Sequence, residues 1–304
     1  MKRIKIFTIL SVLAILTVLF FSSAKTQPAT TSNSGSLLWK ISSDKQKAPS
    51  YLYGTLHLLP EKDFFLGEDA LASLQSAQSL TLEVDIDLSI KEQISMVQRI
   101  MLPKGKTLKD YMSEEDYTNF HSYLCDSLAI KEGKINKYFK FKPFNLLAFI
   151  CMEHYGDLKM YEQEFSKIAK ENKIPINGLE SIDEQLNIIE ECGLDMHTPS
   201  GDDIYVIREY EKLKLIYQEK NLDALTLYMD NELAKEEKTS AELEAQLLSN
   251  RNINWIPQLD SIITNESSFI AVGAAHLGGE NGLINLLRKK GYTVTTAHQP
   301  QKNK

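Results

Sequence analysis

The sequence predicts an α/β fold in which a central, mostly parallel or mixed sheet is flanked by helices, with a large helical insertion. Short apolar segments typical of strands alternate with helical segments at both ends of the chain. Between them, from residue 89 to residue 173, apolar side chains recur at helical spacing almost throughout. Hydrophobic residues make up 43% of the chain and charged residues 25%, a composition that favours a packed core over disorder.

The individual elements follow from local patterns. Leu37–Ser42 and Ser50–Thr55 are separated by a polar turn and predict a hairpin. Ser79–Val84 and Ser267–Gly273 are apolar runs that predict buried strands. Short strands are expected at Lys173–Gly178, ending at Leu179 and Glu180, and at Thr293–Thr296. Helices are expected over Glu68–Gln78, Leu88–Met101, Lys142–Tyr155, Leu158–Asn172, Ser181–Cys192, Asp202–Asn250 and Gly282–Lys290.

The first 24 residues have the layout of a secretory signal. A basic start precedes the uncharged run Ile6–Phe21, and small residues follow at Ser22–Ala24. The run is slightly short for a membrane span of about 20 residues, and an uncleaved N-terminal membrane anchor is the alternative. Residues 25–36 predict a flexible tether, and residues 37–298 a single domain. We therefore expect an exported domain that is periplasmic, extracellular or tethered to the membrane.

The charge and the cysteines exclude two classes of function. The net charge is −7, and the chain has no basic stripe, so nucleic acid is not expected as a partner. The expected partner is a peptide or a small-molecule substrate, and the sequence makes no prediction of oligomeric state. Cys125, Cys151 and Cys192 form no CxxC pair, so a cysteine-type structural zinc site is not expected. All three are expected to be buried as small apolar side chains.

Ionisable side chains follow several predicted strands, at the points where these strands end. They are His57, Glu83, Glu180 and His276. Because ligands of open α/β sheets collect outside the carboxyl ends of the strands, these side chains are expected to converge. Imidazole and carboxylate are suitable ligands for divalent Mn, Co or Zn. The sequence therefore predicts a metal centre, although a buried histidine is often a core residue and Glu180 could instead cap a helix.

Glycines precede both histidines at the same spacing. Gly54 lies three residues before His57, and Gly273 lies three residues before His276. Glycine lets a backbone turn sharply at a strand end and approach a ligand closely, so both glycines are predicted to line the substrate site. Asp85 is an additional candidate ligand, but solvated loop acids are the simpler interpretation of Asp85 and Asp87. No role is predicted for the other histidines, which are His121, His154, His197 and His298.

These motifs resemble those of the TraB/GumN family, which includes the Tiki proteins. The resemblance extends from Leu37 to Val294 and is most specific around His276. It is carried by the segments Tyr53–His57, Leu82–Asp85, Gly178–Ser181, Arg251–Trp255 and Val272–Gly279, and continues through Gly282-Leu283, Leu286-Leu287 and Gly291-Tyr292. Tiki proteins are described as metal-dependent proteases with paired Gly-x-x-His motifs and an essential glutamate. The group is also similar in fold to erythromycin esterases and to the haem-handling ChaN proteins.

The resemblance implies a role for each matching residue. His57 and His276 would be metal ligands, with Glu83 beside them as ligand or catalytic group. Glu180 and Arg251 are further matches with catalytic roles, and Asn252 is expected to contact substrate. One carboxylate would complete the metal site while the other accepts a proton from water. Arg251 would clamp a substrate carboxylate or an oxyanion, or would instead pair with Glu83 or Glu180.

The predicted function is an exported metal-dependent hydrolase, a peptidase acting on peptides or proteins. Two alternatives remain open from the sequence. The first is a metal-independent, esterase-like hydrolase in which one histidine acts as general base on water. The second is a module that binds haem or a peptide without turnover.

Overall fold

The computed structural model describes residues 36–233 and 240–297. Its largest feature is a sheet of six strands in the order β6-β4-β7-β2-β1-β8, beside a separate two-stranded sheet of β3 and β5. The strands are β1 (Leu38–Ser42), β2 (Ser50–Thr55), β3 (Leu59–Pro60), β4 (Ser79–Val84), β5 (Leu158–Lys159), β6 (Ile176–Glu180), β7 (Ser268–Gly273) and β8 (Thr293–Thr296).

Helices flank the sheet and fill the long segment between β4 and β7. In the described ranges they are α1 (Glu68–Ser76), α2 (Ile90–Ile100), α3 (Glu114–Ser122), α4 (Glu132–Tyr138), α5 (Leu146–Tyr155), α6 (Tyr161–Glu171), α7 (Ile182–Glu191), α8 (Val206–Gln218), α9 (Leu222–Leu233), α10 (Ser240–Glu244), α11 (Asn250–Asn265) and α12 (Leu283–Lys289). Two π-helical turns, Tyr123–Ser127 and Ala245–Ser249, follow α3 and α10.

The sheet is mixed, as predicted. β6, β4, β7 and β2 run parallel to one another, whereas β1 runs antiparallel to both β2 and β8. The β1–β2 pair is the predicted hairpin. Every residue of β7 is buried and so is nearly all of β4, because helices cover both faces of these central strands. The α/β class and the helical insertion are therefore confirmed.

The parallel strands end at the same level. Thr55 at the end of β2 pairs with Gly273 at the end of β7, and Val84 at the end of β4 pairs with Glu180 at the end of β6. Four adjacent strands thus present their carboxyl ends along one edge. This edge is where the predicted site residues follow their strands.

An aromatic cluster attaches α6 to the sheet. Tyr161 and Phe165 of α6 are fully buried, and their rings lie 5.5 Å and 5.4 Å from that of Tyr53 in β2. Phe269 of β7 completes the cluster, 5.1 Å from Phe165. Since these large rings fix α6 against β2 and β7, they also fix the residue that follows Tyr161, namely Glu162.

The expected helical stretch Asp202–Asn250 is divided into several helices. Lys220 adopts a left-handed backbone with φ of 55°, which ends the helical path after α8. Asn221 then accepts a hydrogen bond from the N–H of Ala224 at 3.0 Å and starts α9. The prediction of one continuous helical stretch was wrong because Lys220 ends the helical path after α8 and Asn221 caps the start of α9.

The predictions for the first 35 residues and for His298 lie outside the described residues. In the ranges that are described, no helix combines the length and the apolar character that crossing a membrane requires. The single-domain boundaries stay a prediction.

Candidate functional site

Each predicted site residue lies at the carboxyl edge of the parallel strands or directly above it. Glu83 is the penultimate residue of β4, and Glu180 is the last residue of β6. His57 comes two residues after β2, and His276 ends the 3-10 turn Ala274–His276 that follows β7. Arg251 enters from α11, where it is the second residue. The convergence expected from the sequence is therefore present.

Glu83 is the centre of this arrangement. Its Oε1 accepts a hydrogen bond from the N–H of Gly273 at 2.6 Å. The same oxygen lies 3.8 Å from Nε2 of His57 and 3.8 Å from Nε2 of His276. One carboxylate oxygen thus faces both imidazoles at equal distance.

The other oxygen of Glu83 is held by neutral and charged donors. Oε2 accepts from Arg251 Nη2 at 2.7 Å and from Gln185 Nε2 at 3.1 Å. Burial by itself would raise the pKa of Glu83, but His276, Arg251, His57 and the Gly273 N–H together lower the pKa to about 2. Glu83 is therefore ionised although its side chain is buried.

His57 is oriented by a carboxylate that the sequence analysis did not identify. Its Nδ1 lies 2.6 Å from Oε1 of Glu162, which also accepts from the hydroxyl of Thr55 at 2.9 Å. Burial lowers the pKa of His57, but attraction and hydrogen bonding from Glu162, with a contribution from Glu83, raise it above the ordinary value. Because a carboxylate only accepts, Nδ1 carries the proton and Nε2 is the nitrogen that faces Glu83.

His276 is held in the same tautomer by an amide. Its Nδ1 donates to Oδ1 of Asn252 at 2.7 Å, and its Nε2 accepts from Arg251 Nη1 at 3.1 Å. Burial lowers the pKa of His276 to about 3 against the attraction of Glu83, and the positive charges of Arg251 and His57 act in the same direction as burial. His276 is therefore neutral, with a lone pair on Nε2.

Arg251 uses all five of its N–H groups. Nε and Nη2 donate to the two oxygens of Glu180, and Nη2 also donates to Glu83. Nη1 donates to the carbonyl of Leu247 at 3.0 Å and to His276. The sequence left open whether Arg251 clamps a substrate or pairs with a carboxylate. In the structure it pairs with both Glu83 and Glu180.

Glu180 is not a helix cap. Ser181 is the N-cap of α7 and forms a capping box with Glu184. The carboxylate of Glu180 binds Arg251 and accepts from the indole Nε1 of Trp255 at 3.3 Å. It lies behind the guanidinium and does not line the central cavity. Glu180 consequently fixes the position of Arg251.

The two predicted glycines are required by close packing. A Cβ added to Gly273 would lie 3.0 Å from Nε2 of His57 and 3.2 Å from Oε1 of Glu83. A Cβ added to Gly54 would lie 3.0 Å from both Cα and Cβ of Ala274. Gly273 thus lets β7 pass directly beneath the reactive groups, and Gly54 lets the turn after β7 pack against β2.

Asn252 is placed differently from expectation, whereas Asp85 lies in a loop, in agreement with the simpler interpretation of this residue. Asn252, predicted to contact substrate, directs its side-chain amide to the carbonyls of His276 at 3.2 Å and Asn281 at 2.9 Å. Asp85 accepts from the N–H of Asp87 at 2.9 Å in the loop after β4. Asp85 is therefore not a neighbour of the two imidazoles, whereas Asn252 supports one of them.

The site residues enclose a cavity of about 60 Å³. Its floor is formed by the sheet edge, with His57, Glu83, Arg251, Gly273 and His276. Its apolar roof is formed by Ile188 of α7, Leu213 of α8, Leu225 and Met229 of α9, and Leu247. Charged groups therefore lie opposite aliphatic ones, in a space large enough for a few water molecules.

Tyrosine hydroxyls from α8 hold the loop that carries His57. Tyr217 donates to the carbonyl of Gly54 at 3.1 Å, and Tyr210 donates to the carbonyl of Leu58 at 2.8 Å. The two acceptors lie just before and just after the Thr55–His57 segment. Burial raises the pKa of both phenols far above the ordinary value, so both remain donors. The helix that contributes to the roof therefore also positions His57.

The donor chemistry of this cavity fits a divalent cation. Two imidazole Nε2 atoms and one carboxylate oxygen face each other, and the outer nitrogen of each ring is anchored by Glu162 or Asn252. Such outer hydrogen bonds are the usual support of metal-binding histidines. The ligand atoms of the cavity are nevertheless too far apart to hold an ion as they stand. Among the described residues, the group whose ligand atoms all lie within 4.8 Å of one another is a different one, at the end of α3 and the start of α4. Binding a cation here would therefore draw the two imidazoles together and displace Arg251 from His276.

Fold and site together define an α/β protein with a buried histidine, carboxylate and arginine centre at the ends of parallel strands. The chain belongs to the TraB/PrgY/gumN family, whose model matches residues 37–296. It is 21% identical to a metalloprotease TIKI2 from Danio rerio over 325 aligned positions, which cover 88% of this chain and 62% of the relative. It is also 21% identical to a metalloprotease TIKI homolog from Nematostella vectensis, with 86% of this chain and 67% of the relative covered.

The chain thus spans roughly two thirds of the length of these relatives. No solved structure matches it, so the expected similarity to erythromycin esterases and ChaN proteins stays a prediction.

Proposed function

We propose that this protein is an exported metal-dependent peptidase, in which His57, His276 and Glu83 hold a divalent cation. The observation that carries the proposal is the position of one Glu83 oxygen, 3.8 Å from Nε2 of both imidazoles. Two histidines and one glutamate are the ligand set of a large class of zinc peptidases, and the names of the two relatives agree with this chemistry. When bound, the cation would polarise the scissile carbonyl and acidify a water molecule.

The charges around the cavity favour a dication. Glu83, Glu162 and Glu180 are three carboxyl groups whose side chains are at most 8% exposed. Arg251 is the cation paired with two of them. With all three carboxyl groups ionised and both imidazoles neutral, as they would be when bound to a metal, three negative charges and one positive charge leave a balance of −2. A divalent ion between the two neutral imidazoles would neutralise this balance, and burying the group would then cost less.

The protein's own groups have separate roles in the proposed reaction. Glu83 would hold the cation through Oε1, because Oε2 is already occupied by Arg251 and Gln185. Arg251 lines the cavity, and the Nη1 N–H that a bound cation would displace from His276 would stabilise the negative charge that develops on the carbonyl oxygen. Glu162 and Asn252 fix the tautomers of the two histidines, so that both Nε2 lone pairs are directed inward.

The proposal is tested with the full-length protein and a mixture of internally quenched fluorescent peptides. We expect cleavage that stops on addition of EDTA and returns with Mn²⁺, Co²⁺ or Zn²⁺. His57→Ala and His276→Ala should abolish cleavage and each remove one equivalent of bound metal. His154→Ala is the matched control, because His154 is exposed on α5. Full cleavage by both site variants would contradict the proposal.

A second candidate function is metal-independent hydrolysis, and the contact between His57 and Glu162 favours it. A histidine with a raised pKa and an anchored Nδ1 is the arrangement of a general base acting on water. In this case EDTA would leave cleavage unchanged, while Glu162→Gln would reduce it. The hypothesis of haem or peptide binding without turnover stays a prediction.

A further inference from the structure

A second cluster of metal-binding side chains lies in the helical insertion, away from the cavity. His121 of α3, Cys125 of the π-helical turn Tyr123–Ser127 and Glu132 of α4 each place one ligand atom within 4.8 Å of the other two. Glu132 Oε2 is 2.9 Å from His121 Nε2 and 3.7 Å from Cys125 Sγ. Sγ is 3.8 Å from Nδ1 of the same imidazole.

The backbone brings these three residues together without a CxxC motif. His121 and Cys125 are four residues apart, so successive turns of the helical segment place them on one face. The N–H of Ile130 then donates to the carbonyl of Leu124 at 2.9 Å and folds the chain back. Glu132 begins α4 at this point and faces the other two residues.

Neighbouring side chains hold two of the three groups in position. The Oε1 atom of Glu132 accepts from Asn136 Nδ2 at 2.9 Å, which leaves Oε2 directed at His121 and Cys125. The imidazole of His121 packs against the rings of Tyr117 and Phe139, with centroids at 5.8 Å and 6.3 Å. A carboxylate anchored through its second oxygen and a ring fixed by packing are typical of ligands prepared for a metal.

We propose that His121, Cys125 and Glu132 bind a zinc ion, with water as the fourth ligand. A thiolate and an imidazole select zinc over harder cations such as Mg²⁺ or Mn²⁺. Tetrahedral zinc with bonds of about 2.0 to 2.3 Å places its donor atoms about 3.3 to 3.8 Å apart. With Nδ1 of His121 as the ligand atom, the two sulfur distances of 3.7 Å and 3.8 Å match this spacing, and Glu132 Oε2 would exchange its contact with Nε2 for the ion. The ion would join the end of α3 to the start of α4.

This site differs chemically from the candidate active site, because only this one contains sulfur. The test is titration of metal-free, full-length protein with Co²⁺ in place of zinc. We expect a thiolate-to-cobalt charge-transfer band in the near ultraviolet, with an intensity at saturation that corresponds to one thiolate-bound cobalt ion per chain. Zn²⁺ should displace the cobalt and remove the band. The band should persist in His57→Ala, whether or not the cavity binds metal, so the two proposals are tested separately.

Variants assign the band to the cluster. Cys125→Ser and His121→Ala should abolish the band, and Asn136→Ala should weaken cobalt binding about 10-fold. Cys192→Ser is the control and should retain it, because Cys192 is buried beside Gln246. Zn²⁺ should raise the melting temperature of the wild type but not that of Cys125→Ser, which separates lost binding from misfolding. A wild type without the band, or a band that survives in Cys125→Ser, would overturn the proposal.

Discussion

Nδ1 of His57 and Oε1 of Glu162 lie 2.6 Å apart, and neither side chain is exposed beyond 12% of its surface. This contact sets which nitrogen of His57 faces the cavity. Glu162→Gln keeps the shape of the side chain but replaces a charged acceptor with a neutral amide, so the imidazole is held more weakly. We expect metal affinity and kcat/KM to fall about 10- to 100-fold.

The matched control for this prediction is Glu171→Gln, an exposed acid at the end of the same helix. Isothermal titration with Mn²⁺ or Co²⁺ measures the affinity, and 15N chemical shifts of the ring report the tautomer of His57. Equal metal affinity in Glu162→Gln would show that the charge of Glu162 does not support His57 as a ligand.

Gly273→Ala should inactivate the protein by steric displacement. The new Cβ would lie 3.0 Å from Nε2 of His57, closer than real Cβ atoms normally approach, and 3.2 Å from Oε1 of Glu83. Displacing either group by a few tenths of an ångström should lower kcat/KM about 10- to 100-fold. Gly67→Ala is the control, because a Cβ there meets nothing within 4 Å. Peptide cleavage by the two variants gives the comparison.

Arg251 is expected to be essential for both stability and activity. Arg251→Met would leave Glu83 and Glu180 buried without their cation, which should lower the free energy of unfolding by about 3–5 kcal/mol. Arg251→Lys keeps the charge but has only three donors for five contacts, so it should fold better than Arg251→Met and still cleave poorly. Urea unfolding and peptide cleavage distinguish the two effects. An Arg251→Lys variant with wild-type kcat/KM would exclude the proposed role in catalysis.

Asn252 is expected to act through His276. Asn252→Leu removes the acceptor of the Nδ1 proton at similar side-chain volume, and leaves a buried N–H without a partner. We expect a loss of about 1–3 kcal/mol in the free energy of unfolding and weaker metal binding. Asn254→Leu is the control, since Asn254 is exposed on the same helix. Equal metal affinity in the two variants would show that Asn252 does not support His276 as a metal ligand.

The acid side of the stability profile should depend on Glu190. Hydrogen bonding from Arg99, with help from Lys142 and against the effect of partial burial, lowers the pKa of Glu190 below its ordinary value of 4.5. A carboxyl group with a lowered pKa stabilises the fold above its unfolded-state pKa, and this contribution is lost as the pH falls through the folded-state pKa. The loss should therefore occur below about pH 4.5.

Glu190→Gln should flatten this part of the profile, while Glu219→Gln, at an exposed position after α8, should not. Urea unfolding from about pH 7 to about pH 3 measures the effect. An unchanged slope in Glu190→Gln would show that the ion pairs with Arg99 and Lys142 contribute nothing to acid stability.

The edge of the sheet could be predicted from sequence because strand patterns are local. Glu83, Glu180 and His276 each follow an apolar run within a few residues, so their common edge follows from the rule for parallel strands. Glu162 could not be found in this way. It is the second residue of α6, where an acid is typical of any helix start, and its contact with His57 depends on how α6 docks on the sheet.

The burial of the three cysteines could also be predicted only in part from the sequence. Cys151 and Cys192 are buried as expected, but Cys125 is half-buried, so the expectation was wrong for this residue. Its exposure follows from the π-helical turn, which carries it on the outer face of the insertion. Composition and spacing do not report such a turn, because it depends on the packing of α3 against α4 and the loop between them.

The apolar roof of the cavity separates the charged residues at the sheet edge from a substrate as large as a polypeptide. If the centre is a peptidase, the aliphatic side chains above Glu83 narrow the space for a polypeptide, so α8 or α9 would move aside when a substrate binds. Resting molecules would then be unable to digest themselves or one another. Substrate selectivity would then depend on the contacts that a substrate makes with the displaced helices. Only a substrate with enough such contacts would keep the helices open during cleavage.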